Sequence, residues 1–358
     1  MESKGEIWLD FKYIETLDMN GNEHVQETNC KSHFNPESDI KILIVGNSFS
    51  RDSLYYLRNI AQTKNVDITM GLLYMGGQDL TYHYRTKENN VNWFYINNFD
   101  YNSPPITQEI SLKKVLTEYQ WDIVVLQNYF DKKYTFVPDS SWFPVGADLA
   151  GYINTISPES EIMLNEIWSY ELGYKYGQDY VDLQLQKDTD RYIFTKYREL
   201  AQDIERRINK KVKIVPVGQA IANARNYDTG HFSATYYKHG VCEVYNKYKH
   251  SEAANYDFQY GIISPEESEQ GKIKMNRDGF HLSTVGRYLS SVVWFETLTG
   301  IDARTVHYIP PEEILGCWVC DDNVESGYYL FGSYCKPDKK YIDELNEIAH
   351  FTVERGEM

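Results

Sequence analysis

The sequence predicts an α/β fold built on a mainly parallel sheet with helices on both faces. Three observations predict it. Short apolar runs recur as "KILIVG" (41–46), "VDITMGLLY" (66–74), "DIVVLQ" (122–127), "EIMLNEIW" (161–168) and "VKIVPVG" (212–218). Their Val, Ile and Leu content, without polar alternation, fits strands buried on both faces. Between them stand helical patterns, and strict strand–helix alternation favours parallel pairing through crossover helices.

Taken in order, residues 1–38 read as an N-terminal extension. Within it, "EIWLDFKYIETL" has strand character and "DMNGNEH" a turn signal. The main domain is expected over 39–300. It opens on "KILIVG" and continues into the helical "SRDSLYYLRNIAQTK" (50–64). Further helices are predicted at "SLKKVLTEY" (111–119), "RYIFTKYRELAQDIERRINKK" (191–211) and "STVGRYLSSVVWFETLTG" (283–300). Residues 301–358 form a C-terminal extension, acidic and turn-rich, ending in the helical "KKYIDELNEIAHF" and packing on the domain. Two segments break the alternation, 78–110 (rich in Asn, Tyr and Pro) and 226–276 (rich in Tyr, His and Lys). Long connections in compact domains are usually functional or unstructured, which makes these two candidate substrate-shaping loops. In open α/β sheets ligands sit beyond the carboxyl ends of the strands. Chemistry is therefore expected just after Val45, Tyr74, Leu126, Asn165 and Val217.

The composition narrows the function classes. A net charge of −16 disfavours a nucleic-acid partner, which needs clustered basic residues. The basic stretch "ERRINKKVK" ends a helical pattern, where positive charge complements the helix dipole. There is no apolar run of about 18 residues, so no membrane insertion is expected. The start, "MESKGEIWLDF", lacks the basic and apolar regions of a secretory leader. A cytoplasmic protein is expected on that basis, or a secreted one if a leader has been removed. Cys317 and Cys320 form a C-x-x-C with Cys335 fifteen residues on, while Cys30 and Cys242 stand alone. Zinc, a disulfide and free thiols all remain open for the trio. Tyrosine is the outlier at 31 residues, and its flat apolar face with a polar tip suits stacking on sugars or filling wet interfaces.

The stretch Gly46-Asn47-Ser48-Phe49-Ser50 follows a buried strand and opens a helix. A hydroxyl at such a bend lies beside free backbone N–H groups, as an acyl-transfer nucleophile requires. Equally, Ser48 or Ser50 could serve as the helix cap. The segment is not G-x-S-x-G, and it lacks the glycines and lysine of phosphate loops. A nucleophilic serine needs a base. In "NRDGFHLSTVGRYL", Asp278 stands three residues before His281, so a tight turn eased by Gly279 can set the carboxylate on Nδ1 and leave Nε2 for the serine proton. "LLYMGGQDL" puts Gly76-Gly77 after one strand, where a glycine N–H can approach a ligand. "DIVVLQNYF" puts Gln127-Asn128 after another, where a side-chain amide can donate.

Together these blocks resemble the SGNH (GDSL-type) hydrolase superfamily, in particular its bacterial subgroup of unassigned function with G-N-S-F-S as first block. The resemblance spans roughly 40–300. It implies a three-layer α/β/α sandwich with a flavodoxin-like sheet and no metal or organic cofactor. Residue by residue it implies Ser48 as nucleophile and, through its own N–H, one oxyanion donor. It implies Gly77 as the second donor, Asn128 as the third, and Asp278 and His281 as the remaining triad members. Two departures stand out: Asn47 replaces the usual Asp, and "LQNYF" lacks the glycine of G-x-N-D, so either Gln127 or Asn128 could be the third donor. The implied activity is a serine esterase acting on O-acyl, above all O-acetyl, esters of a small molecule or carbohydrate. An O-acyltransferase, or a non-catalytic carbohydrate-binding or assembly protein on the same fold, are the alternatives.

Overall fold

The computed structural model describes residues 13–17, 23–26, 37–99, 105–128, 142–170, 175–176, 179–180, 183–225, 265–267, 273–275, 281–282, 284–310 and 339–355. Ahead of the domain, β1 (Tyr13–Leu17) and β2 (Glu23–Gln26) pair antiparallel. The core then runs β3 (Ile40–Gly46), α1 (Ser48–Ser53), α2 (Leu57–Thr63), β4 (Ile68–Tyr74), α3 (Leu80–Arg85), β5 (Asn92–Ile96) and β6 (Thr107–Ile110). It continues with α4 (Leu112–Glu118), β7 (Ile123–Leu126), α5 (Trp142–Ile156) and β8 (Glu161–Asn165). After a short ribbon of β9 (Lys175–Tyr176) and β10 (Asp179–Tyr180) come α6 (Leu183–Ile208), β11 (Lys213–Val215) and α7 (Val217–Ala224). A second ribbon pairs β12 (Pro265–Glu267) with β13 (Ile273–Met275), and α8 (Thr284–Thr299) and α9 (Lys339–Arg355) close the chain.

Seven strands form one sheet in the order β11-β8-β7-β3-β4-β5-β6. The first five are mutually parallel; β5 pairs antiparallel with β4, and edge strand β6 pairs antiparallel with β5. Helices α3, α4, α5 and α6 pack in one layer, and α1, α2, α7, α8 and α9 in the other. This is the expected three-layer sandwich. At its centre Ile42, Leu43, Ile44 and Val45 are wholly buried, because neighbouring strands and both helix layers enclose β3. Full burial of each such side chain stabilises by about 1.5–3 kcal/mol, which is why this run carries no polar alternation.

Three expectations need correction. Residues 78–110 are not one long loop, since they hold α3, β5 and β6. In β5 the alternation survives as exposed Trp93 between buried Asn92 and Phe94, but it is written in aromatic letters that conceal it. The last strand ends at Val215 rather than Val217, because Pro216, which has no N–H for the ladder, caps α7. Helix α5 was not foreseen at all. Cys30, Cys242, Cys317, Cys320 and Cys335 lie outside the described residues, as does most of 226–276.

From β3 the chain crosses to β4 on one side and later to β7 on the other. Strand order therefore reverses at β3, and the crevice beyond its carboxyl end is where such sheets bind ligands. Residues 46–48 and 127–128 border that crevice.

Candidate active site

At the end of β3 the backbone must turn under two buried side chains. A Cβ on Gly46 would lie 2.3 Å from Ser50 Oγ and 2.7 Å from Gln127 Oε1, so only glycine admits this packing. Asn47 follows in extended conformation and caps α1, its Oδ1 accepting from Phe49 N at 3.0 Å. The cap is thus neither of the two serines. Ser50 is buried and donates to Gln127 Oε1 at 2.9 Å. Ser48 is the first helical residue and only partly buried, and no hydrogen bond to its hydroxyl occurs among the described residues.

His281 reaches this turn through a carboxylate the sequence did not single out. Asp52, wholly buried in α1, accepts from Leu282 N at 2.9 Å through Oδ2. Its Oδ1 takes Arg287 Nε at 2.9 Å and Nη2 at 2.8 Å. Ser290 Oγ and Ser291 Oγ both donate to Ser53 O, and Tyr56 N donates to Ser291 Oγ. These bonds lock the start of α8 onto α1. The His281 ring then lies 6.0 Å from that of Phe49, the residue after Ser48, and Phe49 rests on Trp168 at 4.9 Å. The structure so places the buried His281 imidazole against Phe49, the residue after Ser48, but among the described residues no hydrogen bond joins Ser48 Oγ to His281 Nε2. Asp278 lies outside the described residues.

The glycine turn sits beside it. Gln78 N donates to Met75 O at 3.3 Å, and Gly77 between them has φ +65°. A Cβ there would meet nothing within 4 Å, so the demand for glycine is torsional rather than steric. Its backbone is correspondingly open to solvent.

The two carboxamides separate cleanly. Gln127 Oε1 accepts from Asn47 N at 3.1 Å as well as from Ser50 Oγ, and its Nε2 donates to Asn128 O. Asn128 is 1% exposed, and its Oδ1 accepts from Leu80 N at 3.1 Å, which fixes the amide orientation. Its Nδ2 is buried and has no hydrogen-bond partner among the described residues. A spare buried donor therefore belongs to Asn128, while Gln127 holds the turn.

His83 is a further residue that sequence reading missed. It is buried beneath the turn, with Nε2 3.2 Å from Gly46 O. A carbonyl only accepts, so Nε2 carries the proton. Burial pushes the imidazole down to about 4 from an ordinary 6.5. Its only sequence signal was its place three residues after Leu80, on the same helical face. Between pH 6.5 and about 4 the unfolded imidazole binds a proton that the folded one refuses. Stability from this group is therefore complete above pH 6.5 and falls as pH drops towards 4, by roughly 3 kcal/mol at most. Thermal melting of wild type and His83→Gln at pH 7 and pH 4.5 checks this. The wild-type midpoint should fall further, and parallel losses would refute the assignment.

Among the described residues, one group has metal-ligand character: Glu296, Asp302 and His350. Its atoms are already engaged. His350 Nδ1 lies 2.8 Å from Glu296 Oε1, Glu296 Oε2 accepts from Ala303 N, and Arg304 holds the Asp302 carboxyl down at about 2. It lies near the far end of α8, about 20 Å along the helix from His281.

Residues 41–260, more than half of the chain, match the family model described as a domain of unknown function, DUF4886. The chain belongs to that family. A DUF4886 family protein from Bacteroides uniformis, known by crystal structure, shares 19% identity over 89% of this chain and 96% of its own, with a TM-score of 0.58. At that identity the likeness establishes the fold. Weaker likenesses include an acetyl xylan esterase from Butyrivibrio proteoclasticus (9% identity, 54% of this chain and 57% of that one, TM-score 0.31). Another is a GDSL-like lipase from Bacteroides thetaiotaomicron (10%, 73% and 88%, TM-score 0.34). No curated protein sequence matches the chain. The DUF4886 match ends before His281, so the proposed base lies outside the matched segment.

Proposed function

We propose that this DUF4886 chain is a serine esterase that hydrolyses O-acyl esters, chiefly O-acetyl groups on carbohydrate. The observation that carries the reading is the docking of His281-Leu282 onto the helix opened by Ser48, through Asp52. In the proposed reaction Ser48 Oγ attacks the ester carbonyl as His281 takes its proton, with Asp278 orienting the imidazole. The oxyanion is held by the N–H groups of Ser48 and Gly77 and by Asn128 Nδ2, whose unpaired burial is costly unless a ligand atom receives it. Collapse expels the alkoxide, which His281 protonates. Water activated by the same imidazole then releases the acyl group and regenerates Ser48.

The carbohydrate part rests on the aromatic edge of the site. Trp93, 39% exposed, lies 6.2 Å from the ring of Tyr74, its cross-strand partner at the carboxyl end of β4. A flat exposed ring there suits the apolar face of a sugar.

Treatment of the wild-type protein with a fluorophosphonate, followed by peptide mass mapping, tests the reading. The expected adduct is on Ser48, together with hydrolysis of p-nitrophenyl acetate. Folded protein that gives no adduct and no hydrolysis would sink the proposal.

A further inference from the structure

We propose that Asn47 is a positioning residue that fixes the glycine turn against the nucleophile, a role resting on the serine-esterase reading above. Besides its carbonyl, which accepts from Arg51 N within α1, three polar groups of Asn47 serve three different elements. The backbone N–H goes to Gln127 Oε1 beyond β7, and Oδ1 caps α1 through Phe49 N. Nδ2 donates to Gln78 O at 2.8 Å, across to the turn after β4. Asn47 itself is wholly buried.

The Met75–Gln78 turn is consequently tied to one dipeptide at both ends. Met75 N donates to Gly46 O at 3.1 Å, and Gln78 O accepts from Asn47 Nδ2. Gly76 and Gly77 lie between these two rungs, inside the turn closed by Gln78 N on Met75 O, and a Cβ on Gly77 would meet nothing within 4 Å. The side chain that caps the nucleophile helix thus also sets where the Gly77 N–H stands relative to Ser48. An aspartate could perform only the first task. It accepts from Phe49 N as well as asparagine does, but its second oxygen would face the Gln78 carbonyl oxygen with no proton to share.

Asn47→Asp therefore separates the two tasks. Asp is as good an N-cap as Asn and is favoured by the helix dipole, which offsets part of the cost of burying its charge against the Gln78 carbonyl. The turn should loosen, and a misplacement of about 1 Å in a catalytic donor can cost 10²-fold in rate. Expected for Asn47→Asp, assayed well below its lowered thermal midpoint, are an unchanged KM for p-nitrophenyl acetate and a kcat lower by about tenfold to hundredfold. Fluorophosphonate inactivation should slow in parallel. Asn47→Ser, a good cap too short to reach Gln78, should give the same split if the charged variant folds poorly. Active wild type with equally active Asn47→Asp and Asn47→Ser removes Asn47 alone from the mechanism. Wild type that neither reacts nor hydrolyses removes the esterase reading, and the positioning role with it.

Discussion

Ser48→Ala and His281→Ala are each expected to lower kcat for p-nitrophenyl acetate by at least about 10⁴-fold, and the double variant should fall little further. A nucleophile and its base act as a unit, so the loss of either forfeits nearly all that both contribute. Two unrelated residues would instead multiply their losses. Neither change should unfold the protein. Ser48 is partly exposed at the first position of a helix, where alanine is well tolerated. The His281 ring packs on Phe49, which keeps its contact with Trp168. Steady-state kinetics on the four proteins decide the matter, and multiplicative losses would separate Ser48 from His281.

Asp52→Ala should have the largest effect on stability, about 3–5 kcal/mol. Deleting one member of a buried ion pair strands the other, and that cost exceeds the worth of the pair itself. Here the groups that lose an acceptor are the Arg287 guanidinium, whose side chain is 13% exposed, and the buried Leu282 N–H. Arg287 keeps its stacking on Tyr55 at 4.7 Å, which softens the loss without replacing the carboxylate. Since Leu282 N is the anchor next to His281, kcat should fall as well. Urea denaturation measures the first effect. A change below about 1 kcal/mol would mean that α8 is held by its apolar face alone.

What was legible in the sequence follows the range of each interaction. The run Ile42–Val45 announced a doubly covered strand because its burial is written in consecutive residues. The glycine pair was visible for the same reason, whereas Asp278 of the D-x-x-H spacing lies outside the described residues. Asp52 gave no local sign, because its partners lie 230 and 235 residues away. The cap was misassigned between two serines because Asn, Ser and Asp all cap well, and only the backbone shows which residue is still extended. Gln127 and Asn128 could not be told apart as donors by chemistry they share. The hydrogen bonds around them do so, by occupying one amide and leaving the other without a partner for its N–H among the described residues.

The Asp52–Arg287 pair also sets a clock on biosynthesis. Translation proceeds at about 5–20 residues per second, so the carboxylate emerges roughly 10–50 s before the guanidinium that neutralises it. Throughout that interval the nascent chain carries the serine turn without its histidine. On the proposed esterase reading, a ribosome-bound fragment ending before α8 would lack its base and be chemically silent.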